Sequence, residues 1–265
     1  MLNPRLIPIL LIDSSLHLVK TSGFESRHYL GDPINAAYVF SGFEADELMV
    51  LDIDATLQGR LIPLPFVEAL AHYTKVPLSI GGGITSLDQI QRLVSLGVEK
   101  VVISAVLKHN FRFLEKAVDR FGSSTISVII NSRTQGPEPP IGWFGLPETA
   151  GSASGRPLVD LALSCQQAGA GELVIHAADR DGLCQGFAVS LMAELNHQLS
   201  IPLVALGGCG NHNHISDLLQ ASPVSGVAAG SLFVYAPNSS QVLLNYPNSY
   251  RWFHQYLSRT TENWQ

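Results

Sequence analysis

Eight short apolar runs rich in Val, Ile and Leu recur along the chain, separated by longer segments of mixed character. They lie at Leu6–Ile12, Glu47–Ile53, Val76–Ile80, Val101–Ile103, Ile126–Ile130, Glu172–Ile175, Pro202–Leu206 and Gly226–Ala229. Near-continuous apolar runs of this length predict strands covered on both faces, as parallel strands flanked by helices are. The segments between them read as helices. Pro33–Phe40 follows Asp32, with proline at home in a first turn. Ser86 is a candidate N-cap for a helix carrying Ile90, Leu93, Val94 and Leu96, which stops before Gly97. Pro157–Ala168 stops before Gly169 in the same way.

A long-range repeat selects among the arrangements this pattern allows. Pro77-Leu78 before Gly81-Gly82-Gly83 is matched by Pro202-Leu203 before Gly207-Gly208, Asp52 and Asp54 by Asp179 and Asp181, and Ser104 by Ser231, all at offsets of about 125 to 127 residues. So long a period excludes a solenoid. It predicts an α/β fold, a (β/α)8 TIM barrel built from two half-barrels of about residues 1–123 and 124–250, with a tail at 251–265. An open doubly wound sheet is the alternative. No composition break divides the 265 residues, and one barrel of this size is a single domain.

Composition narrows the function. A hydrophobic fraction of 46% against 14% charged residues implies a large core, and a net charge of −6 leaves no basic footprint for nucleic acid or an anionic membrane. Leu6–Ile12 meets Asp13 before it reaches the length of a signal segment, and no run is long enough to span a bilayer. A cytoplasmic protein is expected. Cys165, Cys184 and Cys209 have no CxxC spacing and read as reduced thiols, so neither a metal nor a cofactor is expected.

Candidate chemistry gathers at strand ends. Gly207-Gly208 and Gly230-Ser231 follow the seventh and eighth strands, where this fold commonly grips phosphate through backbone N–H groups. Gly82, Gly83 and Ser104 form a second set, and two sets suit a substrate with phosphate at both ends; tight turns without a ligand are the plainer reading. Asp52, Asp54, Asp179 and Asp181 either divide acid and base roles at the barrel mouth or cap loops and pair with Arg180. His176, at the end of the sixth strand, is either structural or a proton donor or ligand holder. At the opposite strand ends, Arg5, Glu47, Lys100 and Glu172 form a balanced ring of two acids and two bases. The Gly- and Pro-rich stretch Ser132–Arg156 interrupts the pattern after the fifth strand and is a functional lid or hairpin, or a tolerated insertion.

The segments RLIPILLID, GDPINAAYVF, DELMVLDIDAT, SIGGGI, GVEKVVIS, GAGELVIHAADRDG, VALGGCG and VAAGSLF resemble the cyclase subunit of imidazole glycerol phosphate synthase over nearly the whole chain. YLGDPINA, VLDIDAT and VLLNYP are most similar to the branch associated with lipopolysaccharide and surface-sugar biosynthesis. The resemblance implies a barrel that receives ammonia from a class I glutaminase docked at its bottom and conducts it to a substrate held at the top. It implies that Arg5, Glu47, Lys100 and Glu172 gate the ammonia channel, that Glu99 lies near the glutaminase, and that Lys20 rides on a mobile first loop that closes over substrate.

The departures from that family are specific. Leu11 and Asn131 stand where its two catalytic aspartates fall, Ser104-Ala105 replaces Asn-Thr, and His176-Ala177 replaces Thr-Ser. Asparagine forms hydrogen bonds but takes no proton at neutral pH, and leucine does neither. The family's acid–base cyclisation is therefore not expected in its usual form. Asp13, two residues beyond Leu11 on an extended strand, is expected to share its inward face and, with His176, to move protons for a different substrate. The candidate chemical groups are Asp13, Asn131, His176 and Asp181. The leading expectation is an ammonia-dependent lyase or amidotransferase subunit acting on a bis-phosphorylated or nucleotide-sugar acceptor. The alternatives are the histidine-pathway cyclase, a non-catalytic barrel that activates a glutaminase and conducts ammonia, and a phosphate-sugar binding barrel without a glutaminase.

Overall fold

Strand β1 (Arg5–Ile12) divides its side chains between two clusters. Leu6, Leu10 and Ile12 pack outward into the layer shared with the helices, whereas Ile7, Ile9 and Leu11 join Met49, Val102, Ile129, Val174, Val204, Leu206 and Ala228 in a separate inner cluster. Both faces are buried, which is why the strand reads as an apolar run rather than as an alternation. The computed structural model describes residues 4–22, 26–134, 140–144, 156–236, 239 and 241–247.

Seven further parallel strands follow: β2 (Leu48–Asp52), β3 (Leu78–Gly81), β4 (Lys100–Ile103), β5 (Ile126–Arg133), β6 (Glu172–Ala177), β7 (Leu203–Leu206) and β8 (Gly226–Ala229). Each pairs with its neighbours in chain order, and β8 pairs with β1, so the sheet closes on itself. The chain is a (β/α)8 barrel. In its register Ile129 faces Val174, Asn131 faces His176 and Ser127 faces Glu172 across β5 and β6. The open doubly wound sheet is excluded by this closure.

Helices α1 (Pro33–Gly42), α2 (Leu64–Tyr73), α3 (Leu87–Ser95), α4 (Arg112–Phe121), α5 (Leu158–Gln167), α6 (Val189–Gln198), α7 (His212–Ala221) and the single turn α8 (Ser231–Val234) follow the strands in order. Their starts have local causes. Asp32 accepts from the Asn35 N–H at 2.7 Å ahead of Pro33, Ser86 and Gln89 form a reciprocal capping box, and Asn211 caps α7.

Two additions extend the barrel, the first unforeseen in the pattern and the second within the stretch for which a hairpin was one reading. After β1 the chain makes an antiparallel pair, Leu18–Ser22 with Ser26–Gly31, that is bonded back to the end of β1 through Leu11 and Ile12. Beyond β5, the short strand Ile141–Trp143 pairs with Asn131–Arg133 and with Arg156–Pro157. Most of the remaining Ser132–Arg156 stretch, read as a lid or insertion, lies outside the described residues, as does the tail at 251–265. Among the described residues no helix is long and apolar enough to cross a membrane.

Candidate functional site

The inward positions of the strands stack into layers along the barrel axis. At the bottom, Arg5 contacts Glu47 and Glu172 through its two terminal nitrogens. Lys100 Nζ lies 2.9 Å from Glu47 and 3.3 Å from Glu172. Ser79 Oγ donates to Glu47 at 2.5 Å and Ser127 Oγ to Glu172 at 3.3 Å. Four charges and two hydroxyls thus close a ring in which both carboxylates are buried. Burial opposes the Arg5 charge, but Glu172 and Glu47 hold its pKa above the ordinary guanidinium value. The structure brings all four ring residues together, and Ser79 and Ser127 complete the set. Those serines had no signal beyond their inward register.

Above the ring lies the apolar inner cluster, and above that a cavity of about 330 Å³ opens at the C-terminal ends of the strands. Its floor is Ile9, Leu11, Leu51, Val102, Ile129 and Leu206. One wall is polar. Asn131 Oδ1 is 2.9 Å from His176 Nδ1, and His176 Nε2 is 3.8 Å from Asp181 Oδ1. Lys20 Nζ reaches the same carboxylate at 3.2 Å, and Thr21 Oγ1 donates to its other oxygen at 2.6 Å. Burial alone would raise the Asp181 pKa. The neighbouring His176 imidazole, the Lys20 charge and the Thr21 hydroxyl outweigh burial and hold the carboxyl well below the usual range. Thr21 enters the site because the hairpin backbone rests on Gly182: a Cβ there would lie 2.5 Å from the Thr21 carbonyl.

A second wall comes from the β2–α2 and β3–α3 connections. Gly82 and Gly83 adopt positive φ, and a Cβ on Gly83 would fall 1.7 Å from the Arg60 carbonyl oxygen. Glycine is required there by close approach as well as by conformation. Asp52 and Asp54 follow their capping and pairing expectation, with partners the sequence did not indicate. Asp52 binds Arg60 at 2.6 Å and accepts from the N–H groups of Asp54 and Ala55. Asp54 binds Arg27 at 2.7 Å and accepts from the Ser14 N–H. Arg27 holds the Asp54 pKa below the ordinary carboxylate range. Asp179 accepts from the N–H and hydroxyl of Thr134, away from the cavity lining.

Two expectations need correction. Asp13 does not line the cavity above Leu11. Strand β1 ends at Ile12, and the Asp13 carboxylate turns into its own loop to accept from the N–H groups of Ser15 and His17 at 2.9 Å. A carboxylate just past a strand end is drawn to nearby unpaired N–H groups, and here that local turn prevails over strand register. The second glycine set is only partly presented. Gly230 lines the cavity, but Gly207, Gly208 and Ser231 do not. The Gly186 N–H donates to the Gly208 carbonyl at 2.8 Å, a Cβ on Gly207 would lie 2.5 Å from the Ala177 carbonyl, and the Lys20 stem covers Gly230. The lining therefore holds Gly82, Gly83 and Ser104 from one set and Gly230 from the other. Among the described residues, no group of three or more His, Cys, Asp or Glu side chains is placed to hold a metal ion.

Comparison with known proteins places this geometry in a family. Residues 5–238 match the model described as "Histidine biosynthesis protein". A Leptospira borgpetersenii protein, provisionally named imidazole glycerol phosphate synthase subunit HisF, is 38% identical over 94% of this chain and 96% of its own length. The chain is a HisF-like member of the histidine biosynthesis protein family. A Vibrio vulnificus relative, also named provisionally as such a subunit, is 34% identical over 94% of each chain. A Bacillus cereus protein named imidazole glycerol phosphate synthase subunit HisF is 32% identical over 89% of this chain and 92% of its own. This HisF-like barrel carries a charged ring at its bottom and presents Leu11 and a hydrogen-bonded Asn131–His176 pair in its cavity.

Proposed function

We propose that this barrel is the synthase subunit of an ammonia-using pair of the imidazole glycerol phosphate synthase type. A HisH-like class I glutaminase docks at the bottom and releases ammonia beneath Arg5, Glu47, Lys100 and Glu172. The ring admits neutral ammonia to the apolar interior, and the acceptor waits in the cavity above. The observation that supports this reading is the stacking of ring, apolar interior and polar wall along one axis.

At the cavity, ammonia adds to a carbonyl carbon of the acceptor. The C–N bond forms as the C=O π bond opens to an alkoxide, and the nitrogen has a proton to lose, destined for that oxygen. In this reading His176 accepts that proton. Asn131 Oδ1 holds the imidazole with its proton on Nδ1, leaving Nε2 as the base, and Asp181 stabilises the imidazolium that forms. Lys20 and Thr21 keep Asp181 ionised and close the hairpin over the site. Gly82, Gly83 and Ser104 hold the acceptor's phosphate. Its other end lies toward Gly230, the member of the second glycine set that lines the cavity. The acceptor class is a phosphorylated or nucleotide-linked sugar of surface-polysaccharide synthesis, on the strength of YLGDPINA, VLDIDAT and VLLNYP.

The test mixes the barrel with its glutaminase and a nucleotide-sugar panel. Glutamine hydrolysis should rise on mixing, and ammonium chloride should replace glutamine as nitrogen donor. His176→Ala should abolish acceptor turnover while leaving stimulation of the glutaminase intact. A second reading, a conduit that performs no chemistry, is favoured by Leu11 and Asn131 standing where the family carries aspartates. It predicts stimulated glutamine hydrolysis with no acceptor consumed under ammonium.

A further inference from the structure

We infer that Cys184 and Cys209 form a reversible oxidation site at the barrel mouth, where a peroxide closes a disulfide between the turns that follow β6 and β7. The inference goes beyond the function proposed above and does not depend on it.

The fold presses the two turns together. Cys184 stands in the turn at residues 182–186 after β6, and Cys209 in the turn at residues 207–210 after β7. The Gly186 N–H donates to the Gly208 carbonyl at 2.8 Å, and a Cβ on Gly208 would fall 2.2 Å from the Gly186 carbonyl oxygen. The approach is as close at Gly210, where a Cβ would lie 2.5 Å from the Cys184 Cβ and 2.9 Å from its Cα. Cys184 therefore rests against the residue bonded to Cys209. Consecutive Cα atoms are about 3.8 Å apart, so the two cysteines flank one glycine on the scale that a disulfide bridges, about 4.4–6.8 Å between Cα atoms.

Their surroundings give the two thiols different parts. Cys184 is exposed, whereas Cys209 is 5% exposed and Cys165 lies apart in the core on α5. Cys184 also has a φ of 56°, uncommon outside glycine, and such a departure points to function. Neither sulfur is held by a strong bond. Cys184 Sγ donates to the Gly182 carbonyl at 3.8 Å and Cys209 Sγ to the Asn211 carbonyl at 3.7 Å. Burial, and after it the nearness of Cys184, push the Cys209 thiol up, so Cys184 is the thiol that meets the oxidant.

The Cys184 thiolate attacks one oxygen of hydrogen peroxide, the O–O bond breaks, and the departing hydroxide takes up a proton as water. The Cys209 sulfur then attacks the sulfenic sulfur of Cys184 and gives up its proton as the S–S bond forms. The S–O bond breaks and a second water leaves. Two thiols lose two electrons in all, and one peroxide becomes two waters. A dithiol reverses the bond by exchange. The disulfide fixes the turn after Asp181 to the start of α7, which Asn211 caps. Gly182 of that turn carries the hairpin and Gly186 covers Gly208, so oxidation holds the mouth in its closed arrangement.

The experiment exposes the reduced full chain to hydrogen peroxide, blocks the remaining thiols after unfolding, and maps the peptides by mass spectrometry. Two of the three free thiols should disappear, with Cys184 and Cys209 recovered in one cross-linked peptide and Cys165 blocked. Dithiothreitol should restore all three. Amide exchange at residues 182–186 and 209–211 should slow on oxidation and recover on reduction. Cys184→Ser, an exposed change that leaves the core intact, should abolish both effects. Cys209→Ala should leave Cys184 as sulfenic or sulfinic acid with no cross-link. Cys184 over-oxidised or joined to a second chain while Cys209 stays free, or no loss of thiols, overturns the inference. Unchanged exchange in a cross-linked chain overturns its effect on the mouth. No glutaminase or acceptor enters these measurements, so the ammonia reading stands or falls separately.

Discussion

Removing Glu172 from the bottom ring should cost far more stability than removing any surface carboxylate. The residue is 5% exposed and faces Arg5, Lys100 at 3.3 Å and Ser127 at 3.3 Å. At an effective dielectric of about 20, one unit-charge contact at that separation amounts to about 5 kcal/mol before desolvation is subtracted. Glu172→Met recovers the desolvation of one carboxylate but leaves Arg5 and Lys100 sharing Glu47 alone. Breaking such a buried set by deleting one member costs about 3–5 kcal/mol, equivalent to a fall in Tm of roughly 6–20 °C for a chain of this size. Scanning calorimetry at neutral pH, with circular dichroism as a second probe, measures it. The decisive comparison is Glu172→Met with Lys100→Met, which restores charge balance around Arg5 and Glu47. That double variant should be more stable than Glu172→Met alone. Equal losses for the double and the sum of the two singles would refute the claim that charge balance, rather than packing, governs this layer.

Asp181→Asn should loosen the Leu18–Gly31 hairpin, seen as faster amide exchange there with the barrel strands unaffected. Because the Asp181 pKa is depressed in the fold, its contribution is fully present above the ordinary carboxylate value of about 4 and is lost as pH falls below it. The variant should therefore flatten the acid limb of the stability profile, and an unchanged limb would count against the pairing. Gly83→Ala, with a Cβ 1.7 Å from the Arg60 carbonyl, should lower stability by more than 3 kcal/mol or so, whereas Gly97→Ala, at positive φ in open space, should cost about 1–2 kcal/mol. Thiol labelling of the native chain should modify Cys184 rapidly. Burial pushes Cys165 up to about 12 and raises Cys209 further, so both should react only on unfolding. Fast labelling of all three would contradict the burial.

The sequence by itself determined the barrel and its two ends. Continuous Val, Ile and Leu runs marked all eight strands, because burial on both faces is a local property that leaves a local trace. Arg5, Glu47, Lys100 and Glu172 could be placed on one ring from their position at strand starts, since the period of two carries an inward direction along each strand. Beyond the strand ends that argument fails. Asp13 seemed inward by extrapolation, but the chain had already turned, and its carboxylate serves the turn. Lys20, Thr21, Asp181 and His176 meet across as many as 161 residues because the hairpin crosses the mouth and rests on Gly182, and no periodicity describes a loop's direction. The two glycine sets look alike in sequence. Only packing leaves Gly82 and Gly83 open to the cavity beside Arg60 and covers Gly207 and Gly208 with Ala177 and Gly186. Strand contents follow from side-chain pattern, but a loop's exposure depends on which neighbouring loops the closed barrel brings against it.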